Sequence, residues 1–274
     1  MDRSAQALRE RLGLHHLTVL DASPAEVVTI AADIGCPTVT LFVQATGRSN
    51  DTYPIVTDGL VARDVRARLA DTGVRVHNLE AFVLRPSVPA EAFVPALDLG
   101  ASLGAARLTV LVGDPDLGRA FDRFSALCEE AAARGLAVHV EFHAFTQIRT
   151  FGAAQGFLAR GRPANAALAV DALHLHRNDH GIEPLRCMAG APIGYAQLCD
   201  GPPTVGPEEA FAEAVSNRML PGEGSFDLPG FVALLPPDIV LDIEVPSRVL
   251  QERGLGPLAR ARAVMDATLR CLGP

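Results

Sequence analysis

Cysteine is scarce in this sequence, and its placement excludes two kinds of stabilised fold. The five cysteines are spread from Cys36 to Cys271, and none belongs to a CxxC pair or lies at a histidine-paired zinc spacing. Neither a disulfide framework nor a structural zinc cluster is therefore predicted. Dispersed cysteines of this kind are typical of a reducing compartment, so we expect a cytoplasmic location.

Long hydrophobic stretches and clusters of basic residues are also absent. No segment reaches about 18 uninterrupted apolar residues, and the N-terminal MDRSAQALRERLG has no apolar core, so neither a membrane span nor a secretion signal is predicted. The formal net charge is -8 and the pI is about 5.5. We therefore expect a small-molecule substrate as the partner, and neither nucleic acid nor a membrane.

The sequence motifs of several common enzyme classes are missing. Gly222-x-Gly224 stands alone, without the GxGxxG of dinucleotide-binding proteins or a Walker phosphate loop. The GxSxG pattern occurs as Gly100-x-Ser102-x-Gly104, but it precedes an apolar run and does not follow one, as the turn that carries a serine nucleophile would, so a hydrolase of this kind has no support.

Eight short apolar runs, rich in Val, Ile, Leu and Thr, alternate with helix-like segments. The chain has 274 residues, 49% of them hydrophobic, which is enough to build a large core. Alternating β and α segments predict a parallel sheet, and eight βα units in this length favour a closed (β/α)8 TIM barrel in the α/β class. No low-complexity linker interrupts the pattern, so we expect one domain over 1–274. The predicted strands lie near 16–20, 38–43, 74–79, 106–112, 137–142, 166–171, 194–199 and 238–245.

Helix start signals lie between the predicted strands. Ser23, Pro24 and Glu26 form a capping box with proline at the first helical position. Asp64 and Asp116 precede two further amphipathic segments as predicted N-caps.

Two connections are longer than a barrel needs. Residues 44–59 follow the second predicted strand, and residues 200–224 follow the seventh. Both leave the carboxyl ends of strands, the face at which barrel enzymes build their active sites. We therefore expect the active site beneath these two loops.

Four consecutive predicted strands finish on oxygen-bearing side chains. These are Glu141, Asp171, Gln197 and Glu244. A single residue of this kind is most often a cap at a strand end, but four that meet at one end of a barrel predict a divalent-metal site. Three carboxylates and an amide oxygen form a hard ligand set, which favours Mn2+ or Mg2+, with Co2+ as a third candidate and Zn2+ less suited.

Side-chain alternation along the strands places further polar residues near these ends. If Glu141 points into the barrel, His139 lies one layer deeper and His143 lies at the rim. The same alternation groups Asp242 with Glu244, and we expect His139 and Asp242 to belong to a hydrogen-bonded layer inside the barrel. Glu80, near the end of the third strand, is a candidate substrate-binding residue, although a structural role fits it equally well.

The order of these residues resembles a known family. Glu, Asp, amide or imidazole, and Glu on strands five to eight, with Asp171-x-x-His174 and Arg218-x-x-Pro221-Gly222-x-Gly224, are similar to the xylose-isomerase-like TIM barrels of the sugar phosphate isomerase/epimerase family. The resemblance implies that the four strand-end residues bind one cation. It also implies that His174 and Arg218 contact substrate oxygens. His176, Arg177 and His180 compete with His174 for that role.

The resemblance implies proton abstraction next to a carbonyl, with Glu141 and Glu244 as the acid and base. The predicted enzyme is a metal-dependent isomerase or epimerase of a sugar-like hydroxy-ketone that works through an enediolate, and His143 is a further substrate contact. The alternative is a dehydratase of a cyclic hydroxy-ketone such as 3-dehydroshikimate or an inosose, because Gln197 stands where many epimerases have His.

Two other classes fit less well. A DNA-repair endonuclease of this barrel type would need a histidine-rich site with three zinc ions and a basic face. A barrel that only binds a ligand would not need the complete ligand set. Related barrels often pair, so a homo-oligomer is a further expectation.

Overall fold

The computed structural model describes residues 3–44, 55–187 and 190–273, and its centre is a closed barrel of eight parallel strands. The strands pair in chain order from β1 to β8, and β8 pairs with β1 to close the barrel. The predicted (β/α)8 fold is confirmed. The strands are β1 Leu12–His15, β2 Thr38–Phe42, β3 Arg75–Leu84, β4 Arg107–Val112, β5 Ala137–Glu141, β6 Ala166–Asp171, β7 Ile193–Leu198 and β8 Leu241–Ile243.

Helices surround the barrel and cover its outer face. They are α1 Arg3–Arg11, α2 Pro24–Ile34, α3 Gly59–Thr72, α4 Val94–Ser102, α5 Leu117–Ala132, α6 Phe151–Leu158, α7 Ala172–Asn178, α8 Glu183–Cys187, α9 Ala210–Ser216, α10 Leu228–Leu234, α11 Arg248–Glu252 and α12 Pro257–Leu272. Three short 3-10 helices lie at His16–Val19, Ile55–Thr57 and Ala90–Phe93. Within the described ranges no helix is long and apolar enough to cross a membrane.

The local signals that the sequence carries explain most helix ends. Ser23 and Glu26 form the predicted reciprocal capping box at the start of α2. Gly35 ends the same helix in a left-handed conformation, which a residue with a Cβ rarely adopts. Asp116 accepts hydrogen bonds from two backbone N–H groups at the start of α5.

Two boundary predictions are wrong. The predicted strand at 16–20 is a 3-10 helix, and β1 occupies the less apolar segment Leu12–His15 before it. The helix predicted to begin after Asp64 begins six residues earlier, because Asp58 caps it by accepting from Leu60 and Val61 N–H. The shift of β1 matters for function, because it places His15 at the carboxyl end of a strand.

The carboxyl end of the barrel is covered mainly by the segment after β7. This segment contains α9 and returns toward the barrel through short antiparallel bridges from Asn217 to Ser247 and from Met219 to Asp200. It is the second of the two loops predicted to cover the active site. Most of the first, residues 45–54, lies outside the described residues.

Candidate metal centre and substrate cavity

Three acidic and imidazole side chains meet at the carboxyl ends of β5 and β6. His174 Nε2 lies 3.9 Å from Glu141 Oε1 and 3.8 Å from Asp171 Oδ2. One ligand atom from each of the three residues lies within 4.8 Å of the other two, so a single cation could contact all of them. His174, which the sequence assigned to substrate, is therefore also a candidate ligand.

Asp171 has both of the roles that the sequence left open, a cap at a strand end and a candidate metal ligand. Its Oδ1 accepts a hydrogen bond of 2.7 Å from Leu173 N–H and caps α7, as expected for a carboxylate at a helix start. Its Oδ2 faces Arg218 and His174. The cap fixes the carboxylate and leaves the second oxygen available as a ligand.

Gln197 on β7 and Glu244 immediately after β8 are the other two predicted ligands, and Glu244 is not among the three residues whose ligand atoms lie within 4.8 Å of one another. The strand register pairs Gln197 with Asp171 on one side and with Asp242 on the other. Gln197 Oε1 is buried and has no hydrogen-bond partner among the described residues, and the same holds for His174 Nε2. Buried polar atoms are normally satisfied, so these two fit the coordination of a cation.

Arg218 lies between two of the predicted ligands. Its Nη1 donates to Asp171 Oδ2 at 2.8 Å and lies 3.3 Å from Glu244 Oε2, while its Nε donates to the Ala214 carbonyl. The guanidinium is almost completely buried, and these carboxylates raise the pKa of Arg218 well above its usual value against the opposing effect of burial. Arg218 thus offsets part of the negative charge at the site.

The remaining negative charge is poorly compensated by the protein alone. Burial, followed by the neighbouring carboxylates of Glu80, Glu244 and Asp171, raises the pKa of Glu141 well above its usual range. Burial also raises the pKa of Glu244 to about 7, although Arg218 lies nearby. Clustered buried carboxylates favour a divalent cation between them, so the residues present fit the predicted metal.

A second group of polar residues lies at the ends of β1 and β3. His15 Nε2 is 3.2 Å from Glu80 Oε2, and His15 Nδ1 is 3.8 Å from Glu244 Oε1. The other oxygen of Glu80 accepts from Tyr195 Oη at 3.2 Å and from Asn78 Nδ2 at 3.3 Å. Glu80 therefore faces the site, held by groups on three different strands.

Below these residues the barrel interior contains a polar layer instead of the usual branched aliphatic side chains. Asp242 accepts from Thr40 and contacts His77 at 2.9 Å, and His139 stacks on Tyr195. Asp242 thus belongs to a hydrogen-bonded internal layer, as the strand alternation predicted. His139 packs beside this layer through Tyr195, but its Nδ1 has no hydrogen-bond partner among the described residues.

A cavity of about 330 Å³ opens above the polar floor. Its charged lining includes Glu80, Glu141, Arg218 and Glu244, and His143 lies at its edge. Its walls are largely apolar, and Phe145 and Phe211 meet edge to face at 5.2 Å between ring centres, each more than two fifths exposed. The apolar wall residues are Leu17, Phe42, Val83, Leu111, Phe145, Phe211, Ala214 and Val215.

The histidines predicted near the site divide into two groups. His143 packs against His174 with ring centres 3.9 Å apart, and its Nδ1 accepts from Phe145 N–H. His176 instead stacks on Phe226, and Arg177 pairs with Glu213. Of the side chains next to His174 in the sequence, His176 and Arg177 therefore have structural partners.

The glycine-rich turn after Arg218 is anchored by a residue that the sequence did not single out. Asp200 accepts from the backbone N–H groups of Gly201, Gly222 and Phe226. A Cβ at Gly224 would lie 2.2 Å from Asp200 Oδ1, which explains the glycine. Asp200 thereby fixes the segment that carries Arg218. The motifs QLCD, which ends on Asp200, and RMLPGEG, which contains the turn, were the sequence signals that could have suggested this contact.

Comparison with known proteins agrees with this geometry. A family model described as xylose isomerase-like TIM barrel matches residues 28–268, and the chain belongs to that family. Over 123 residues, 44% of this chain, the sequence is 31% identical to a 3-dehydroshikimate dehydratase of Pseudomonas aeruginosa. This chain covers only 19% of the length of that relative.

Solved structures share the fold at low sequence identity. The IOLI protein, whose structure contains a zinc atom, superposes with a TM-score of 0.77 at 16% identity over 96% of this chain and 98% of that one. D-allulose 3-epimerase from Methylomonas sp. gives 0.70 at 16% identity over 96% and 98%. The proteins that resemble this chain thus include an epimerase and a dehydratase.

Proposed function

We propose that this chain is a divalent-metal-dependent dehydratase that acts on a small cyclic hydroxy-ketone. It removes a proton next to the carbonyl and eliminates the hydroxyl one carbon further on. The observation that carries this proposal is the contrast between the oxygen-rich floor of the cavity and its apolar walls.

The cation would be held by Glu141, Asp171, Gln197 and Glu244, with His174 as a rival ligand to Gln197. Bound there, it would polarise a carbonyl oxygen and make the neighbouring proton more acidic. A lysine amine could serve the same end through a Schiff base, but all 24 basic residues of this chain are arginine. The chain therefore depends on a cation, together with Arg218, to stabilise negative charge on the substrate.

The shape and polarity of the cavity support a ring over an extended sugar. An open-chain polyol would turn hydroxyls toward Phe42, Leu111 and Phe211, and each unpaired buried hydroxyl costs about 1 to 3 kcal/mol. A ring with polar groups along one edge can direct them to the floor and place its apolar face on the walls. The volume of about 330 Å³ also lies at the small end of ligand pockets.

The protein groups have separate tasks in this proposal. Arg218, His174 and His143 bind substrate oxygens, and a carboxylate of the floor takes the proton. Glu141 and Glu244, expected from the sequence as the acid and base, are candidates for that carboxylate, and Glu80 is a third. The similarity to a 3-dehydroshikimate dehydratase over part of the chain supports elimination as the outcome.

An isomerase or epimerase is the second candidate, because Glu141 and Glu244 lie at the ends of different strands around the same cavity. Two carboxylates that approach a carbon from different sides could remove and return a proton. The apolar walls favour the dehydratase over this candidate.

A substrate panel tests the proposal. Purified protein, stripped of metal and reloaded with Mn2+, Mg2+ or Co2+, is incubated in heavy water with 3-dehydroshikimate, inososes and ketoses. We expect loss of water from a cyclic ketone only when protein and metal are both present. Epimerisation of a ketose without elimination would favour the second candidate, and turnover in excess chelator would contradict both.

A further inference from the structure

We propose that Glu80 is the base that removes the proton next to the carbonyl, and that Tyr195 is its positioning residue. The inference rests on the proposed function and assigns its first chemical step to a carboxylate outside the predicted metal ligands. Glu80 lines the cavity together with Glu141 and Glu244, so it can reach the same substrate.

Glu80 is held at both oxygens by groups that belong to the barrel itself. Oε1 accepts from Tyr195 Oη and Asn78 Nδ2, and Oε2 lies 3.2 Å from His15 Nε2. Tyr195 is in turn fixed by a 2.7 Å hydrogen bond with Thr109, and it is completely buried. A carboxylate with so many restraints keeps one orientation toward the cavity, which a proton-transfer group needs.

The histidine beside Glu80 is arranged as a hydrogen-bond donor and not as a metal ligand. Leu17 N–H donates to His15 Nδ1 at 3.1 Å, so the ring proton lies on Nε2, the nitrogen that faces Glu80. A protonated nitrogen cannot coordinate a cation. The His15 and Glu80 pair is therefore unsuited to bind a second metal and suited to orient the carboxylate of Glu80.

The ligand carboxylates are weaker candidates for the base. Asp171 Oδ2 and Glu244 Oε2 both face Arg218, and Glu141 lies in the group that would share the cation. A carboxylate whose lone pairs contact a cation or a guanidinium has lower basicity. Glu80 instead contacts the hydroxyl of Tyr195, the amide of Asn78 and the imidazole of His15, and none of these blocks its lone pairs toward the cavity.

The step balances without any further reactant. The bond between the carbon next to the carbonyl and its hydrogen breaks, and Glu80 takes the proton. The electron pair of that bond forms the new carbon–carbon double bond as the hydroxyl leaves with its own bonding pair. The hydroxyl combines with a proton and departs as water, and Glu80 returns its proton to solvent.

The test compares Glu80→Gln with Glu244→Gln on the metal-loaded protein and the substrate identified from the panel. For Glu80→Gln we expect wild-type Mn2+ affinity by calorimetry, a KM within about threefold, and a loss of about 100-fold or more in both deuterium exchange and elimination. For Glu244→Gln we expect weaker Mn2+ binding. Glu91→Gln, on the outer surface, is the matched control for loss of one carboxylate.

Chemical rescue separates a base from a structural residue. Formate should restore part of the activity of Glu80→Ala, because it can supply a carboxylate in the vacated space, whereas chloride at equal ionic strength should not. Tyr195→Phe should lower kcat about tenfold with Mn2+ affinity and KM unchanged, because it acts only through the orientation of Glu80.

Each outcome decides between the two proposals. Undiminished exchange in Glu80→Gln overturns the assignment of the base and leaves the dehydratase proposal standing. A parallel loss of Mn2+ affinity and of folding in Glu80→Gln and Tyr195→Phe also overturns it, since both residues would then be structural. Absence of exchange and elimination in the wild type on every ketone contradicts the proposed function itself.

Discussion

The two halves of the barrel carry different side chains at the carboxyl ends of their strands. Strands β5 to β7 end on or next to Glu141, Asp171 and Gln197, and Glu244 follows β8 directly. Strands β1 to β4 contribute His15 and Glu80, and they also present Phe42, Ala81, Val83 and Leu111 to the cavity. One half thus concentrates oxygen ligands, and the other supplies an apolar surface with a single restrained carboxylate.

A carboxylate at the end of a barrel strand is therefore held in two different ways in the two halves. The carboxylates in the second half repel one another and are offset in part by Arg218, an arrangement that favours a divalent cation between them. Glu80 in the first half is compensated by donors from within the barrel. The first half can therefore place the substrate while the second half holds the metal.

The largest expected effect comes from the second half. Asp171→Asn removes the charge that faces Arg218 and His174 while its other oxygen can still cap α7. We expect Mn2+ affinity to fall by more than about 100-fold, beyond the range seen when only an outer partner of a ligand is removed. Calorimetric titration measures it, and circular dichroism should show an intact fold.

The matched control is Asp116→Asn, which also alters an N-capping aspartate but on the outer helix α5. Equal metal affinity in wild type and Asp171→Asn would mean that Asp171 is only a cap. The distinction between the two halves would then lose its main support.

A smaller effect is expected from the anchor of the loop that carries Arg218. Asp200→Asn replaces one acceptor oxygen by a donor in a carboxylate that accepts three backbone hydrogen bonds. We expect a loss of about 2 kcal/mol in the free energy of unfolding, the usual scale for hydrogen bonds to a charged group. Thermal or denaturant unfolding measures it, and an unchanged stability would contradict the anchoring role.

The sequence predicted the strand-end positions of the second half and of Glu80 in the first half, but it did not predict His15 or the partners of Glu80. Each predicted ligand follows an apolar run, so its place at a strand end depends only on local pattern. His15 was passed over because the more apolar run after it was taken for the strand. The contact of Tyr195 with Glu80 spans 115 residues and crosses the barrel, which no local signal encodes.

The strands of the fold were also predictable from local sequence pattern. Seven of the strands were predicted close to their positions, because buried parallel strands form continuous apolar runs. The start of α3 was placed too late, since Asp64 was the predicted N-cap, whereas Asp58 accepts the hydrogen bonds that begin the helix.

The apolar wall should affect substrate binding and leave metal binding unchanged. Phe211→Ala removes a ring that packs on Phe145 at the mouth of the cavity. We expect KM to rise about tenfold, equivalent to about 1.4 kcal/mol of lost apolar contact, with Mn2+ affinity unaltered. Leu60→Ala, which truncates another exposed apolar side chain on α3, should leave KM unchanged. A similar KM in both variants would remove the argument for a ring-shaped substrate.

The smallest expected effect is a change of metal preference within the second half. Gln197 is the neutral member of the predicted ligand set, and its buried Oε1 has no hydrogen-bond partner in the described part of the chain. Gln197→His should keep total affinity within about tenfold and shift preference from Mn2+ and Mg2+ toward Zn2+ and Co2+, because imidazole nitrogen is a softer donor than an amide oxygen. Competition titrations with pairs of metals measure the shift, and Gln197→Ala serves as the control that removes the donor altogether. If both variants keep the affinity and preference of the wild type, Gln197 is no ligand, and the imidazole of His174 completes the site with Glu141 and Asp171.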